Sequence, residues 1–264
     1  MPGAIPGDEL LFDDLDGATV GLDDVIADGL DRDYSARYGG LRDLLAAGTP
    51  AQRLHACVVL ASWGVRDGFL TIVDWATDPH AVPWAGAPVT FDRLFGVDDA
   101  FAQLARALET AAAVALTPAG TRLRVGATRA LLGQHHHVFF DRWMQALVET
   151  DAALAGAVHL QLLRAAERTV AAARTQQPFD MATQAALLLV PLAETDDEAA
   201  ARLASQLTAL APDWPRTLCE VARGMGAGRG PATRYALERL AASPHQAVAT
   251  EARDWLARRD AHGG

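Results

Sequence analysis

The chain has 264 residues, of which 50% are hydrophobic and 21% charged, and its formal net charge is −10. This is an ordinary composition for a soluble protein with enough apolar material for a core. The longest apolar run, residues 185–193, is interrupted by Pro191 and is shorter than the roughly 20 residues that a bilayer requires. No secretory signal begins the chain. We therefore expect a cytoplasmic protein with no membrane contact.

The motifs of the common cofactor and metal sites are absent from the sequence. Its two cysteines, Cys57 and Cys219, match neither a disulfide framework nor a zinc spacing, and we expect both to be small buried side chains. No dinucleotide-binding fingerprint, phosphate-binding P-loop or nucleophile elbow is present. We predict no cofactor, no metal site and no catalytic residue.

The first forty residues carry most of the negative charge, with ten acids against two arginines, a net charge of −8. Residues 1–17 are predicted to be extended or partly ordered. Four apolar residues then follow helical spacing: Leu22, Val25, Ile26 and Leu30. We assign residues 1–34 to an acidic N-terminal cap and residues 35–264 to a helical repeat domain. The cap either keeps the protein soluble or steers it towards a basic partner, and the predicted partner-binding acids are Asp23, Asp24 and Asp28.

Residues 41–78 predict two helices joined by a tight corner. Thr49 caps the first helix and Pro50 opens it, because proline at the first position gives up a hydrogen bond that has no helical partner there. Its apolar stripe consists of Leu54, Cys57, Val58 and Ala61. After Gly64, the second stripe consists of Val65, Phe69, Ile72, Val73 and Ala76. Neither helix can bury its stripe alone, so neighbours of the same kind are expected.

Residues 78–96 are the longest interior stretch without a helical pattern. Long irregular loops are often functional, and we predict Trp84 of this loop as a partner-binding residue. The alternative interpretation is a packed corner anchored by the same tryptophan.

The rest of the chain alternates helical patterns with short breaks. Residues 182–192 are apolar on nearly every side, which indicates a buried helix, and Thr195 with Glu198 has the spacing of a capping box. The Gly224–Gly230 segment is interpreted as a hinge, with phosphate binding as the alternative. Further helices are predicted over 97–116, from Pro118, over 138–148, 151–174, 214–225 and 231–242, and from Ser243.

Helix-opening sequences recur along the chain. Pro50–Leu54 resembles Pro231–Tyr235 and, more loosely, Pro118–Leu123. With these helix pairs, clearest over Thr49–Ala76 and Pro231–Leu256, the chain resembles the HEAT-repeat family from about residue 35 to its end. The resemblance implies an all-α fold, a short HEAT-like α-solenoid of about five or six stacked antiparallel helix pairs, with an extended concave binding surface.

Two polar clusters bear on other functions. His135, His136 and His137 are adjacent and cannot converge on one metal from a helix, so we expect a solvated turn. From residue 216 onward arginines outnumber acids, and Arg234 of this strip is a predicted partner-binding residue. The body of the chain is close to neutral, so nucleic acid is an unlikely partner.

These observations leave three functional hypotheses. The first is a non-catalytic protein-binding solenoid, in a concrete version an immunity or antitoxin-type protein that masks a basic bacterial toxin. The alternative is a HEAT-like DNA glycosylase of the alkylpurine type, for which Asp141, Arg142 and Trp143 are adjacent in sequence. A third is a lyase or chaperone for a prosthetic group, as in bilin-lyase-like HEAT proteins.

Overall fold

The structure is a computed structural model that describes residues 7–94, 96–175 and 179–262. Helix makes up 71% of it, and these residues contain no β-strand, only two isolated bridges. The predicted all-α class is thus confirmed. The chain divides into two compact units, one up to Gln134 and one from His135. The boundary predicted after residue 34 stays a prediction.

The first unit is built around α4 (Pro50–Ser62), which contacts α3 (Tyr38–Ala47), α5 (Arg66–Thr77) and α6 (Ala100–Thr110). The predicted pair of helices is confirmed as α4 and α5. Thr49 and Gln52 cap α4 reciprocally, with N–H to oxygen distances of 3.3 and 3.0 Å. Gly64 turns the chain between them at a φ of 72°, a conformation that favours glycine. The helices of this unit are α1 (Asp8–Phe12), α2 (Leu22–Asp31), α3 (Tyr38–Ala47), α4 (Pro50–Ser62), α5 (Arg66–Thr77), α6 (Ala100–Thr110) and α7 (Pro118–Gln134).

The second unit is built around α13 (Pro215–Ala227), which contacts five other helices of the unit. Pro231 opens the next helix, as the recurring sequence predicts. The helices of this unit are α8 (Trp143–Glu149), α9 (Ala152–Ala172), α10 (Met181–Leu187), α11 (Leu189–Thr195), α12 (Asp197–Leu210), α13 (Pro215–Ala227), α14 (Pro231–Leu240) and α15 (Gln246–His262).

Most helix contacts in both units join helices that are adjacent or next-but-one in sequence, although α10 also packs on α13 and α9 on α12. In the first, α4 packs on α5 and on α6, and α5 packs on α7. In the second, α11 packs on α9 and on α13, α13 packs on α15, and α12 packs on α14. Contacts between adjacent and next-but-one helices are those expected when helix hairpins stack.

Three predicted local features are wrong. Val138–Phe140 are not helical and α8 begins at Trp143. The buried segment 182–192 forms two helices, not one; Pro191, which has no N–H to donate, lies in the first turn of the second. The cap of α12 is Asp196, which accepts from the Ala199 N–H at 3.0 Å, whereas the Thr195 hydroxyl donates to the Pro191 carbonyl.

Candidate functional site

The three acids predicted to bind a partner all lie on α2, and each also makes a bond within the first unit. Asp23 lies 2.9 Å from an Nη1 atom of Arg106. Asp24 accepts from the Gly21 N–H at 3.1 Å, and Asp28 accepts from the Tyr34 hydroxyl. Asp23 and Asp24 are exposed, while Asp28 is half-buried.

Residues 7–40 contribute further carboxylates to the first unit. Of the two arginines in residues 7–40, Arg32 lies 3.3 Å from both Asp16 and Asp28. Arg37 donates instead to the backbone carbonyls of Asp13 and Asp14 and forms no ion pair with the carboxylates that the structure describes. We call the following acids the acidic surface, of which all but Asp28 are exposed: Glu9, Asp16, Asp23, Asp24, Asp28, Asp31 and Asp33.

The acidic surface is fixed to the core of the first unit. The indole N–H of Trp63 donates to the Ile26 carbonyl at 3.1 Å, and its ring lies 4.9 Å from that of Tyr34. The Gln52 amide donates to Asp8 at 3.0 Å. Residues 8–12 form helix α1, which corrects the expectation of an extended segment there. The carboxylates are therefore held on the packed helices α1 and α2 or on the short segments that follow them.

Trp84, the partner-binding residue predicted in the 78–96 loop, is 2% exposed. Its ring packs edge-on against Trp75 at 4.9 Å and lies 6.2 Å from the Phe101 ring. This is the packed corner of the alternative interpretation, and a direct partner contact by Trp84 stays untested. Phe91 and Leu94 of the same loop are exposed.

The histidine cluster differs from its prediction at one position. His135 is fully buried, its Nδ1 lies 2.9 Å from the Thr169 hydroxyl, and its ring stacks on Phe140 at 5.4 Å. Burial lowers the pKa of His135 to about 3, with a smaller effect from His136. The turn is confirmed and His137 is exposed, but His135 is a neutral core residue, because a charged imidazole would be strongly desolvated there.

The three residues of the DNA glycosylase hypothesis, Asp141, Arg142 and Trp143, have different surroundings. Asp141 takes a φ of 47°, and Arg142 pairs with Glu220 at 3.1 Å. Trp143 begins α8 and is half-buried.

The C-terminal arginine strip is largely engaged within the second unit. Arg234 pairs with Glu238 at 3.2 Å and with Asp260 at 2.7 Å. Arg259 donates to the Gly230 carbonyl at 2.8 Å and Arg253 to the Ala241 carbonyl at 3.0 Å. The two carboxylates offset the charge of Arg234, and the carbonyls occupy N–H donors of Arg253 and Arg259, so the strip offers less to phosphates.

The glycine-rich segment ends at a helix start that a side chain already occupies. Asp197 accepts hydrogen bonds from the N–H groups of Gly230, Ala232 and Thr233 at 2.8–3.3 Å. A carboxylate therefore holds the amides that a phosphate would need, which removes the support for the phosphate-binding alternative.

A groove of about 850 Å³ lies in the second unit beside the glycine-rich segment. Its lining combines two acids, three arginines and several apolar or small residues: Glu149, Glu194, Arg229, Arg258, Arg259, Val190, Gly226, Ala227, Gly228 and Trp255. No local sequence pattern predicts this groove, because its lining comes from four helices and a loop far apart in the chain. The only local signal was the glycine run, since a side chain at Gly226 would overlap the Trp255 indole.

The described residues were also compared with the requirements of metal sites, disulfides and membrane-spanning helices. No group of three or more histidine, cysteine or acidic side chains there is arranged to hold a metal ion. Both cysteines are free, and Cys57 is buried while Cys219 is half-buried. None of the described helices combines the length and the apolar character that crossing a bilayer demands.

Comparisons with known proteins assign no family. No family model matches the chain, and neither a curated protein nor a solved structure is significantly similar to it.

Proposed function

We propose that this protein is a non-catalytic protein-binding α-solenoid of the HEAT-like kind. In the concrete version it is an immunity or antitoxin-type protein that masks a basic bacterial toxin in the cytoplasm. The observation that carries the proposal is the acidic surface, a group of mostly exposed carboxylates on α1, on α2 and on the short segments after them, and both helices pack against α4. Preorganised charge of one sign speeds association with an oppositely charged protein and favours that partner over others.

The arrangement of helices supports the solenoid part of the proposal. Adjacent and next-but-one helices contact each other in both units, as the stacking of hairpins requires. Solenoids of this kind present extended surfaces to other macromolecules. The HEAT-like assignment itself rests on the recurring proline-opened helices.

The proposal is tested by capture followed by a measured affinity. The immobilised protein is exposed to a bacterial lysate at low and high salt, and retained proteins are identified by mass spectrometry. We expect a basic protein that is partly released at high salt, since exposed charge pairs are screened over about 10 Å at 0.1 M. Recovery of nucleic acid alone would favour the DNA glycosylase alternative.

The affinity of the retained protein then tests the acidic surface directly. The variant Asp23→Asn, Asp24→Asn, Asp28→Asn keeps an acceptor oxygen at each position and removes three charges. We expect it to raise the Kd about 10-fold or more at low salt, mostly through slower association. The matched control removes three charges from exposed acids of the second unit, with Glu198→Gln, Asp213→Asn and Asp254→Asn. Equal affinities for the triple variant and this control would refute the proposal.

A further inference from the structure

The hydrogen bonds around His135 hold its imidazole in one tautomer. The Thr169 hydroxyl donates to the Ala165 carbonyl at 2.7 Å, so its oxygen is left to accept from the Nδ1–H group of His135 at 2.9 Å. A neutral imidazole carries a proton on one of its two nitrogens. The Nε2 atom of His135 is therefore the unprotonated nitrogen, and it is the atom that would take up a second proton.

This nitrogen lies in the core with no acceptor for that proton among the described residues. His135 is fully buried, and its Nε2 atom has no hydrogen-bond partner in the described part of the chain. Its ring stacks on the Phe140 ring at 5.4 Å, with an angle of 5° between the two planes. Protonation would thus place a new N–H group and a full charge in apolar surroundings, and both changes are unfavourable there.

The charged groups described near His135 do not offset this cost. His136 lowers the pKa of His135 beyond the effect of burial. Burial lowers the pKa of His136 itself, and His137 and then Arg168 of α9 lower it further. Glu167 of α9 is exposed and pairs with an arginine of α12 at 2.9 Å. A protonated His135 therefore meets cations of the same sign and gains no described carboxylate.

Helix α10, whose side chains also meet this segment, contributes no charge. Met181–Leu187 contains no ionisable side chain. The Asp180 carboxylate at its start accepts from the N–H and the hydroxyl of Thr183 at 2.9 and 2.6 Å, so it serves as the helix cap. Both helices beside His135 thus favour the neutral imidazole.

The segment that carries His135 is attached to these helices through few contacts. Residues 135–142 lie between α7 and α8 and form no helix of their own. Gln184 of α10 donates to the carbonyls of His135 and Val138 and accepts from the Phe140 N–H. Release of the segment breaks these three hydrogen bonds and the ring stack, while α9 and α10 keep their own backbone hydrogen bonds. A local opening of this kind brings Nε2 into water without unfolding the unit.

We propose that the segment from His135 to Phe140 is a latch that is closed on α9 and α10 while the His135 imidazole is neutral and opens locally when Nε2 takes up a proton. His135 is the first residue of the second unit, so the open latch adds free chain to the link that joins the two units in sequence. The latch uses no residue of the acidic surface. It therefore goes beyond the function proposed above and stands or falls separately.

The test follows hydrogen exchange of the Phe140 amide by NMR in the full chain. Protection factors at pH 7.5 and pH 5.5 are compared, because they remove the effect of pH on intrinsic exchange. We expect protection to fall about 10-fold at pH 5.5, where an open histidine with an ordinary pKa of about 6.5 is protonated in roughly ten molecules out of eleven. The loss should be absent in His135→Asn and retained in His137→Gln, the matched control at the exposed end of the same turn.

Urea distinguishes a local opening from unfolding of the whole unit. Between 0 and about 1 M urea, exchange at Phe140 should stay constant while the slowest amides of α13 exchange faster, since unfolding exposes far more surface. The latch is overturned if Phe140 exchanges with the rate and urea dependence of α13, or if the parent and His135→Asn respond equally to pH. Circular dichroism checks folding, and His135→Gln replaces His135→Asn, with the same expectation, if the latter unfolds.

Discussion

Asp197 holds the N-terminus of a helix that begins 34 residues further along the chain at Pro231. Its Oδ2 accepts from the Ala232 N–H at 2.8 Å, and its Oδ1 accepts from the Thr233 hydroxyl at 2.5 Å. The first N–H groups of a helix have no partner within it. One carboxylate at the start of α12 therefore satisfies the donors of α14 and joins two successive helix pairs.

Replacing Asp197 is expected to destabilise the second unit. Asp197→Ala leaves three backbone donors and a hydroxyl without this acceptor, a loss of about 1–3 kcal/mol in the free energy of unfolding. Urea denaturation at pH 7 measures it. Asp213→Ala, at an exposed turn, is the control and should change stability by less than about 0.5 kcal/mol.

The contribution of Asp197 should depend on pH. Burial works to raise the pKa of Asp197, but hydrogen bonds from Thr233, Ala232 and Gly230 outweigh it, and the pKa lies below the ordinary 3.8. Because the folded-state pKa is depressed, the stabilisation is present above pH 3.8 and is lost as pH falls through the folded value. A difference between the parent and Asp197→Ala that stayed constant from pH 7 to pH 2.5 would contradict this.

Protonation of His135 is expected to destabilise the fold in mild acid. Its folded pKa of about 3 lies below the ordinary 6.5, so the unfolded chain binds the proton first. Stability is full above pH 6.5 and decreases as pH falls from there towards 3, by about 1.4 kcal/mol at pH 5.5. Urea midpoints at pH 7.5 and pH 5.5 measure the loss.

A pair of histidine variants isolates this effect. His135→Asn keeps a polar group facing Thr169 and removes the titration, so we expect its stability to change less between pH 7.5 and 5.5. His137→Gln, at the exposed end of the same turn, should keep the full dependence of the parent. His55, whose pKa burial also lowers, adds a background slope common to all three proteins. Parallel slopes for His135→Asn and the parent would exclude His135 as the source.

Gln184 determines the shape of the chain between α7 and α8. Its amide nitrogen donates to the carbonyls of His135 and Val138 at 2.7 and 3.0 Å, and its oxygen accepts from the Phe140 N–H at 2.9 Å. Gln184→Leu has a similar size but leaves these backbone groups without partners, so we expect a loss of about 2–5 kcal/mol in unfolding free energy. Thermal unfolding tests this against Gln161→Leu, on the half-exposed side of α9; similar melting temperatures would contradict it.

Much of the helical structure is predictable because its causes are local. Thr49 and Pro50 mark the start of α4, and the apolar stripe from Leu54 to Ala61 marks its buried face. Pro231 likewise marks the start of α14. In each case, residues within four positions of one another provide the capping, the turn or the stripe.

The features that were missed depend on residues far apart in sequence. Val138–Phe140 has an apolar helical pattern, yet Gln184, more than forty positions away, supplies its hydrogen bonds. His135 resembles a solvated residue until Thr169 and Phe140 surround it. The groove likewise joins Glu149, Glu194 and Arg229, which no local pattern connects.

A close approach between Gly29 and Trp63 is expected to control the position of the acidic surface. A Cβ atom at Gly29 would overlap the Trp63 indole, whose N–H donates to the Ile26 carbonyl in the same helix α2. Gly29→Ala should therefore displace α2 from α4, and backbone amides of residues 22–31 should exchange hydrogen faster, by about 10-fold for a loss of 1.4 kcal/mol in local stability. Gly39→Ala is the matched control, because a Cβ atom there meets open space. If the amides of residues 22–31 exchanged equally slowly in Gly29→Ala and Gly39→Ala, the Trp63 indole would not be what holds α2 in place.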